Sequence, residues 1–435
     1  MLPIGLSFQQ APPISVPLRF FLTAPLFLLA AAIVLLAAGP ELMESRHSPA
    51  ALAATHLLTL GFTSMVMCGA LLQLVPVLGG VPLLQPQRVA WLVHAPLSVG
   101  AASLAAAFLW NLVPLLPLAM ATLAFAFGTF GIWLVRALWK TRDGGASIRG
   151  MRAALAALAV TVALGLAMGA TLQGHGPTAI YARLAMLHPL WGLGGWTGLL
   201  IVGLAYQLIP MFQLTGPYPT AIASRLIPAL LLLLLARTLS GWLPEAATSS
   251  LSRLTDWGLA AGYLGFAGVT WRLLARRRRK VPDNTLQFWR LGLVLLALSC
   301  GLAALLVLPG ADTLSASWTL CLGVLVLPGF VLAVIQGMLY KIVPFLTWFH
   351  LQSTYPGQGI VPNVREIHAR FHANAHLALF AVALAFLAAS CWVPELSRVA
   401  GLLWGVYALW LEINLLQAVH IFRKVRRVAI IPMAH

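Results

Sequence analysis

The sequence predicts an all-α polytopic membrane protein: twelve transmembrane helices in three parallel four-helix repeats with pseudo-threefold symmetry, forming a single membrane domain over 1–435. Three observations carry that expectation. The composition is poor in charge, apolar windows of spanning length follow one another along the chain, and one motif recurs at a constant interval of 134 residues.

Of the 435 residues, 60% are hydrophobic and only 9% charged, and the mean hydropathy is +0.91. A soluble domain carries about 25% charged residues, so this chain lacks the polar residues to cover a water-facing surface. That excludes a soluble enzyme, a disordered chain and a small disulfide scaffold. Cys68, Cys300, Cys321 and Cys391 lie in or beside apolar runs and form no CxxC pair, which suggests neither a disulfide framework nor a thiolate zinc site. Arg19 precedes a run of full spanning length with no small-residue cleavage site after it, so no signal peptide is expected.

Apolar windows separated by Pro, Gly and Arg place helices at 18–39, 50–79, 88–112, 114–139, 151–172, 186–213, 224–243, 253–275, 287–309, 315–346, 370–392 and 397–423. With the N-terminus inside, the 27 basic residues sort strongly by side. Only Arg46, Arg183, Arg237, Arg253 and Arg398 fall outside or toward the outer half. The cytoplasmic side holds Arg136, Lys140, Arg142, Arg149 and Arg152, the run Arg276 to Lys280, and the cluster Arg423, Lys424, Arg426 and Arg427. This asymmetry predicts an integral protein of the bacterial inner-membrane kind, with both termini cytoplasmic. The net charge of +17 then reads as topology and contact with anionic lipid, and no nucleic acid is expected as a partner.

The second helix ends Gly69-Ala-Leu-Leu72-Gln73-Leu-Val-Pro76, the sixth Gly203-Leu-Ala-Tyr206-Gln207-Leu-Ile-Pro210, and the tenth Gly337-Met-Leu-Tyr340-Lys341-Ile-Val-Pro344. Eight residues before each of these glycines stands another followed by an aromatic: Gly61-Phe62, Gly195-Trp196 and Gly329-Phe330. Units of four spans share one orientation, so the repeats, approximately 15–145, 146–280 and 281–435, are expected to be parallel. Glycines two turns apart share a face and permit close helix approach.

This plan resembles subunit I of the heme-copper oxidase superfamily, the cytochrome oxidases and nitric oxide reductases, across the whole chain as architecture. Locally, His56-Leu-Leu-Thr-Leu-Gly-Phe and the later Leu-Val-Pro resemble the nitric-oxide-reductase branch. The NnrS family of heme- and copper-associated membrane proteins is similar in size. The resemblance implies a heme ligand at His56, a bilayer setting, and an electron donor or membrane partner subunit. The pattern is degenerate. No histidine occurs from Ser315 to Phe349 or in 224–243, where the family's tenth helix holds heme and its seventh holds copper, while the sixth keeps only His188. A complete binuclear centre is therefore not expected.

The candidate residues follow. His56 and His188 lie 20 and 22 residues before their aligned prolines, at nearly one level near the outer ends of equivalent helices. A neutral imidazole there suits heme iron or copper; hydrogen bonding at the interface is the plainer role. His47 and His175 lie in the adjoining outer loops. Toward the cytoplasm, His368, His372 and His376 recur at i, i+4 and i+8, so His372 and His376 could hold a metal on one helix face; a hydrated basic helix end is the plainer role. Met65, Met67 and Cys68 offer soft sulfur but also suit core packing. Intramembrane ionisable groups are costly and face cavities or partners, which singles out Arg237 and Glu412, with the polar Asn414 embedded in the same apolar helix.

Two functional classes remain open. One is a heme-binding protein, with copper as a further cofactor, in electron transfer or in nitric oxide, oxygen or copper handling; an oxidoreductase is one form of it. The other is a proton-coupled transporter or permease with a polar path through Tyr206, Gln207, Tyr340, Lys341 and Glu412.

Overall fold

A computed structural model of the chain describes residues 7–141, 145–243, 245–279, 283–308, 310, 316–355, 361–369 and 372–430. Arg142 and Lys280 of the charge pattern lie outside them. All secondary structure among the described residues is helical. The long helices are α1 Ser15–Met43, α2 Pro49–Gly79, α3 Pro86–Leu109, α4 Leu115–Lys140, α5 Ala146–Leu172, α6 Thr178–Gln213, α7 Thr220–Ser240, α8 Glu245–Ala275, α9 Asn284–Leu306, α10 Ala316–Thr354, α11 Ala373–Ala389 and α12 Leu396–Ile430. Ten of them are long and apolar enough to cross a membrane, and the protein is an integral membrane protein. The other two depart from that standard in different ways. α8 is long but carries Arg253, Asp256 and Arg272, and α11 is apolar but only 17 residues long.

Several boundaries differ from the sequence expectation; α8 begins at Glu245 where 253 was expected, and α12 runs on to Ile430 where 423 was expected. α6 begins eight residues early, because the tight turn Thr178–Ile180 winds directly into Tyr181–Pro189. α10 continues past Pro344 to Thr354; inside a membrane bundle, neighbouring groups can satisfy the carbonyl that a proline frees. The helix expected over 370–392 is shorter, at Ala373–Ala389. A short turn, Val364–Ala369, precedes α11, and His372 ahead of α11 has the left-handed φ of +43°.

Packing repeats along the chain. The first helix of each successive group of four packs on the second (α1 on α2, α5 on α6, α9 on α10), and the third packs on the fourth. The fourth helix packs on the first of the next group, and α12 returns to α1, closing the ring. At that closure Gly401 brings α12 against the backbone of Leu36, so closely that a Cβ would stand 2.6 Å from its nitrogen. Inside the ring stand α2, α6 and α10. Of the apolar windows of α2 and α6, 78% and 72% are buried, against 17% for the outer α7.

Each inner helix contains a wide, π-helical stretch at the same register: Leu57–Ser64, Leu190–Leu199 and Leu325–Val331. A π-turn fits one extra residue into a helix and is found often at functional sites. The glycines show what it does here. Gly61 and Gly69 pack on Phe27 and Phe20, Gly195 and Gly203 on Ala157 and Gly150, Gly329 and Gly337 on Leu295 and Phe288. Each pair is eight residues apart, yet its contacts on the antiparallel neighbour are seven apart. The wide turn absorbs the extra residue, so both glycines keep to the same face. A side chain at any of the six would meet its neighbour, which accounts for the motif as close helix packing.

Where the three inner helices meet, an apolar cavity of about 60 Å³ is lined in layers: Val66, Leu200 and Val334; Ala70, Leu204 and Met338; Leu74, Leu208 and Ile342. Every layer takes one residue from each helix, 134 positions apart. Met65, Met67 and Cys68 are buried in this interior.

Candidate functional site

α2 starts on Pro49, with the Ser48 side chain accepting from Ala51 N at 3.2 Å. That cap sets the level of His56, two turns along and just before the wide turn. His188 stands at the matching place on α6. The two rings approach to 6.3 Å between centroids, with planes inclined by only 20°. Phe108 of α3 lies 5.3 Å from the His56 ring.

The hydrogen bonds assign the protons. His56 Nδ1 donates to Leu52 O at 2.8 Å, and His188 Nδ1 donates to Thr161 O of α5 at 3.1 Å. Backbone carbonyls have only lone pairs, so both Nδ1 atoms must carry the proton and both Nε2 atoms are left as acceptors. Neither Nε2 has a hydrogen-bond partner among the described residues. This is the arrangement by which a ligating histidine is oriented: one ring nitrogen tied to a carbonyl, the other open. α5 makes room for it at Gly165, where a Cβ would stand 3.1 Å from His188 Cε1. His47, in the adjoining loop, accepts from Arg46 Nε at 3.0 Å. Burial, then Arg46, pushes its imidazole below the ordinary value.

The second candidate pair turns out differently. His376 is fully buried and uses both ring nitrogens. Nε2 donates to Tyr407 O at 2.9 Å, and Nδ1 accepts from the Tyr340 hydroxyl at 2.6 Å. Asn414 Nδ2 donates to the same hydroxyl at 2.6 Å, and the Tyr407 ring stacks on the imidazole at 3.9 Å. His372 is exposed and outside the helix. The expectation that the two share a helix face is therefore corrected by the break at His372, and His376 has no lone pair left for a metal. The side chain of His368 lies outside the description. Among the described residues no cluster of three or more His, Cys, Asp or Glu is grouped to hold a metal ion.

The polar residues do not join into one path. The Tyr206 hydroxyl donates to Ile222 O at 3.3 Å. Tyr340 belongs to the His376 network. Glu412 Oε2 is buried without a hydrogen-bond partner among the described residues. Lys341 Nζ reaches Asp283 Oδ2 at 3.0 Å, where Arg279 also arrives at 3.2 Å. Gln213 Nε2 donates to Asp283 Oδ1 at 3.2 Å, and the same oxygen caps α9 at Leu286 N. Burial works against this carboxylate, but the charge of Lys341 and the hydrogen bonds from Lys341, Gln213 and Leu286 outweigh it, holding Asp283 below the usual carboxylate value. The cavity where the inner helices meet is apolar, and these polar groups lie where inner helices adjoin their outer neighbours. Arg237 finds its partner in Asp256 at 3.0 Å.

Sequence reasoning missed Asp283 and Tyr407. Each acts on residues far away in the chain, and no local spacing signals them.

No family model matches the chain, and no curated protein matches it in sequence. Among solved structures, a chain of a heme-copper terminal oxidase dimer superposes with a TM-score of 0.61, covering 95% of this chain and 84% of that one at 12% identity. The chain therefore has a heme-copper oxidase-like fold.

Proposed function

We propose that this protein binds a redox metal, as heme iron with copper as a further cofactor, through His56 and His188, and serves in electron transfer or in nitric oxide, oxygen or copper handling. The observation that carries this reading is the pair of imidazoles 6.3 Å apart, each with Nδ1 tied to a carbonyl and Nε2 open. His56 and His188 would be the residues to hold such a group, their rings standing 6.3 Å apart on two inner helices. Heme iron held by two imidazoles would supply a one-electron couple. The chain's own residues hold the rings: the Leu52 and Thr161 carbonyls fix the tautomer, and Gly165 leaves space for the His188 ring. Oxygen reduction at a binuclear centre is not part of the proposal, because α7 has no histidine and α10 has only His350, beyond Pro344.

The proposal extends to the frame. Twelve spans form three parallel units, approximately 15–145, 146–280 and 281–435, with both termini cytoplasmic and the histidine pair toward the outer face of a bacterial inner membrane. The shared register of the wide turns and the layered cavity support the threefold plan. The basic residues support the orientation. The bilayer is one partner, and an electron donor or partner subunit another. The transporter alternative lacks support of this kind, since its five residues do not converge.

The test is a visible spectrum with metal analysis on purified wild type, His56→Ala and His188→Ala. The wild type should be coloured with near-stoichiometric metal, and either variant should lose or convert the signal. Metal-free, colourless protein from heme- and copper-replete cells would sink the reading.

A further inference from the structure

A groove of about 480 Å³ lies between α9 and α11, on the outer wall of the bundle. Gln287 and Leu291 line it from α9, and Asn374, Leu377, Ala378 and Ala381 from α11. These residues are ordered along the helices. Both helices start at one end, where Asn284 Nδ2 donates to Asn374 Oδ1 across the gap. The lining amides, Gln287 and Asn374, stand near those starts, and the four apolar residues lie farther in. The fully buried rings of Phe288 and Phe380 meet edge-on at 5.7 Å, so the helices touch on their inner side and part on their outer one. The first unit shows how such a seam is filled. Arg19 and Thr23 precede Gln287 and Leu291 by two intervals of 134 residues, and both meet α3. The Arg19 guanidinium lies 4.2 Å over the Trp91 ring. His94 Nε2 donates to the Thr23 hydroxyl at 2.8 Å, that hydroxyl's own proton going to Arg19 O. In the third unit Gln287 and Leu291 share the seam with Leu377 and two alanines, and it stays open.

We propose that this groove binds an anionic phospholipid, its acyl chain lying against Leu291, Leu377, Ala378 and Ala381 and its phosphate accepting from Gln287 and Asn374. Three observations favour that occupant. First, the Gln287 amide and Asn374 Nδ2 have no hydrogen-bond partner among the described residues, and an amide donor beside hydrocarbon calls for an acceptor. Second, the segments leading into both helices are basic. Arg276 and Arg278 are exposed ahead of α9, and Arg365 ahead of α11, while the acids there, Asp283 and Glu366, already have partners in Lys341, Arg279 and Asn363. Basic residues at a helix end attract anionic headgroups. Third, the stretch from Asn374 to Ala381 spans seven residues, about 10 Å of helix. A spanning helix of a partner subunit would need a seam of about 30 Å. The groove is too short for that and has the polar-to-apolar order of a single lipid. The proposal depends on neither the histidine site nor the orientation of the chain.

The experiment reconstitutes the full chain in nanodiscs of equal parts phosphatidylglycerol and phosphatidylcholine, releases it into detergent, and counts retained lipids by native mass spectrometry. Wild type should keep one phosphatidylglycerol, preferred over phosphatidylcholine by about fivefold or more, the factor that one basic residue near the headgroup supplies. Ala378→Trp, which fills the groove as Trp91 fills the first seam, should lose that lipid. Gln287→Leu, at an exposed position with no internal bond to break, should lower its retention several-fold, and it decides the matter if Ala378→Trp does not fold. Val382→Trp, exposed on the same helix but outside the groove, should retain the lipid as wild type does. Phosphatidylcholine held equally well, or wild-type retention in folded Ala378→Trp or in Gln287→Leu, would overturn the proposal. So would a second polypeptide cross-linked to a photoreactive side chain at Ala381, which would make the seam a subunit contact. Metal content in Gln287→Leu should equal that of wild type, which keeps this test distinct from that of His56 and His188.

Discussion

His56 and His376 sit in helices of one chain under opposite hydrogen-bonding regimes. His56 is satisfied at a single nitrogen, by a carbonyl of its own helix four residues back, and its ring lies 6.3 Å from a second histidine tied in the same way. His376 is satisfied at both, by a carbonyl of α12 and a hydroxyl of α10, and its ring is covered by Tyr407. Burial alone does not separate a ligand from a structural histidine. The count of free lone pairs does: it closes His376 to coordination and leaves the proposed pair open to it.

The sharpest way to break this comparison is to exchange alanine into each site. His56→Ala should abolish or convert the cofactor signal while leaving a folded protein. His376→Ala should leave metal per protein unchanged and lower the thermal midpoint in detergent. Loss of cofactor from His376→Ala with retention in His56→Ala would invert the assignment. His372→Ala, on an exposed residue outside the helix, should alter neither quantity.

Next in size is Tyr340→Phe. The hydroxyl accepts from Asn414 and donates to His376, so its removal strips a bond from two buried groups at once. Leaving a buried polar group unsatisfied costs about 1–3 kcal/mol, so the variant should be less stable by about 2–3 kcal/mol. Metal content should stay at the wild-type value. A variant as stable as wild type in calorimetry would show that the network does not fasten α10 to α11 and α12.

Smaller again is the Asp283 cluster, which ties α6, α9, α10 and Arg279 together. It is neither fully exposed nor fully buried, so Asp283→Asn should cost about 1–2 kcal/mol, between the values for the two limits. Its carboxyl is held below the usual value. The stabilisation is therefore present above the unfolded-state pKa of about 4 and disappears as pH falls through the lowered folded-state value. Between pH 8 and 5 the difference between wild type and variant should be constant, shrinking only under strong acid. A difference that changes between pH 7 and 5 would contradict the assignment.

The layout of the bundle was legible because composition and periodicity are local properties. Apolar windows give helices, and the recurring Gly and Pro positions give a register that the wide turns follow. The glycines were legible as packing residues, but not the π-turns, since a motif counts residues and not turns. His56 and His188 could be read as a pair from their common level. The closed state of His376 could not, because it depends on Tyr340 and Tyr407, 36 and 31 residues away. Nor could the break at His372, where the i, i+4 spacing looks helical and a left-handed residue interrupts it.

The finest probe of the outer pair is Gly165→Ala, which touches the site without removing a ligand. The new Cβ would stand 3.1 Å from His188 Cε1, closer than a relaxed contact of about 3.5–4.0 Å, so the ring must give way by a few tenths of an ångström. The Nδ1 bond to Thr161 O restricts that movement to a tilt, which re-aims Nε2 relative to His56. Alanine is also favoured over glycine inside a helix by about 0.5–1 kcal/mol, so the fold itself should not weaken. The two effects act on different readouts: the thermal midpoint of the metal-free protein should hold or rise, while metal affinity falls or the spectrum shifts. A structural histidine would give no such split, because without a ligand at Nε2 a small tilt has nothing to report. An unchanged spectrum and unchanged affinity in Gly165→Ala, with the midpoint raised, would place the metal away from His188.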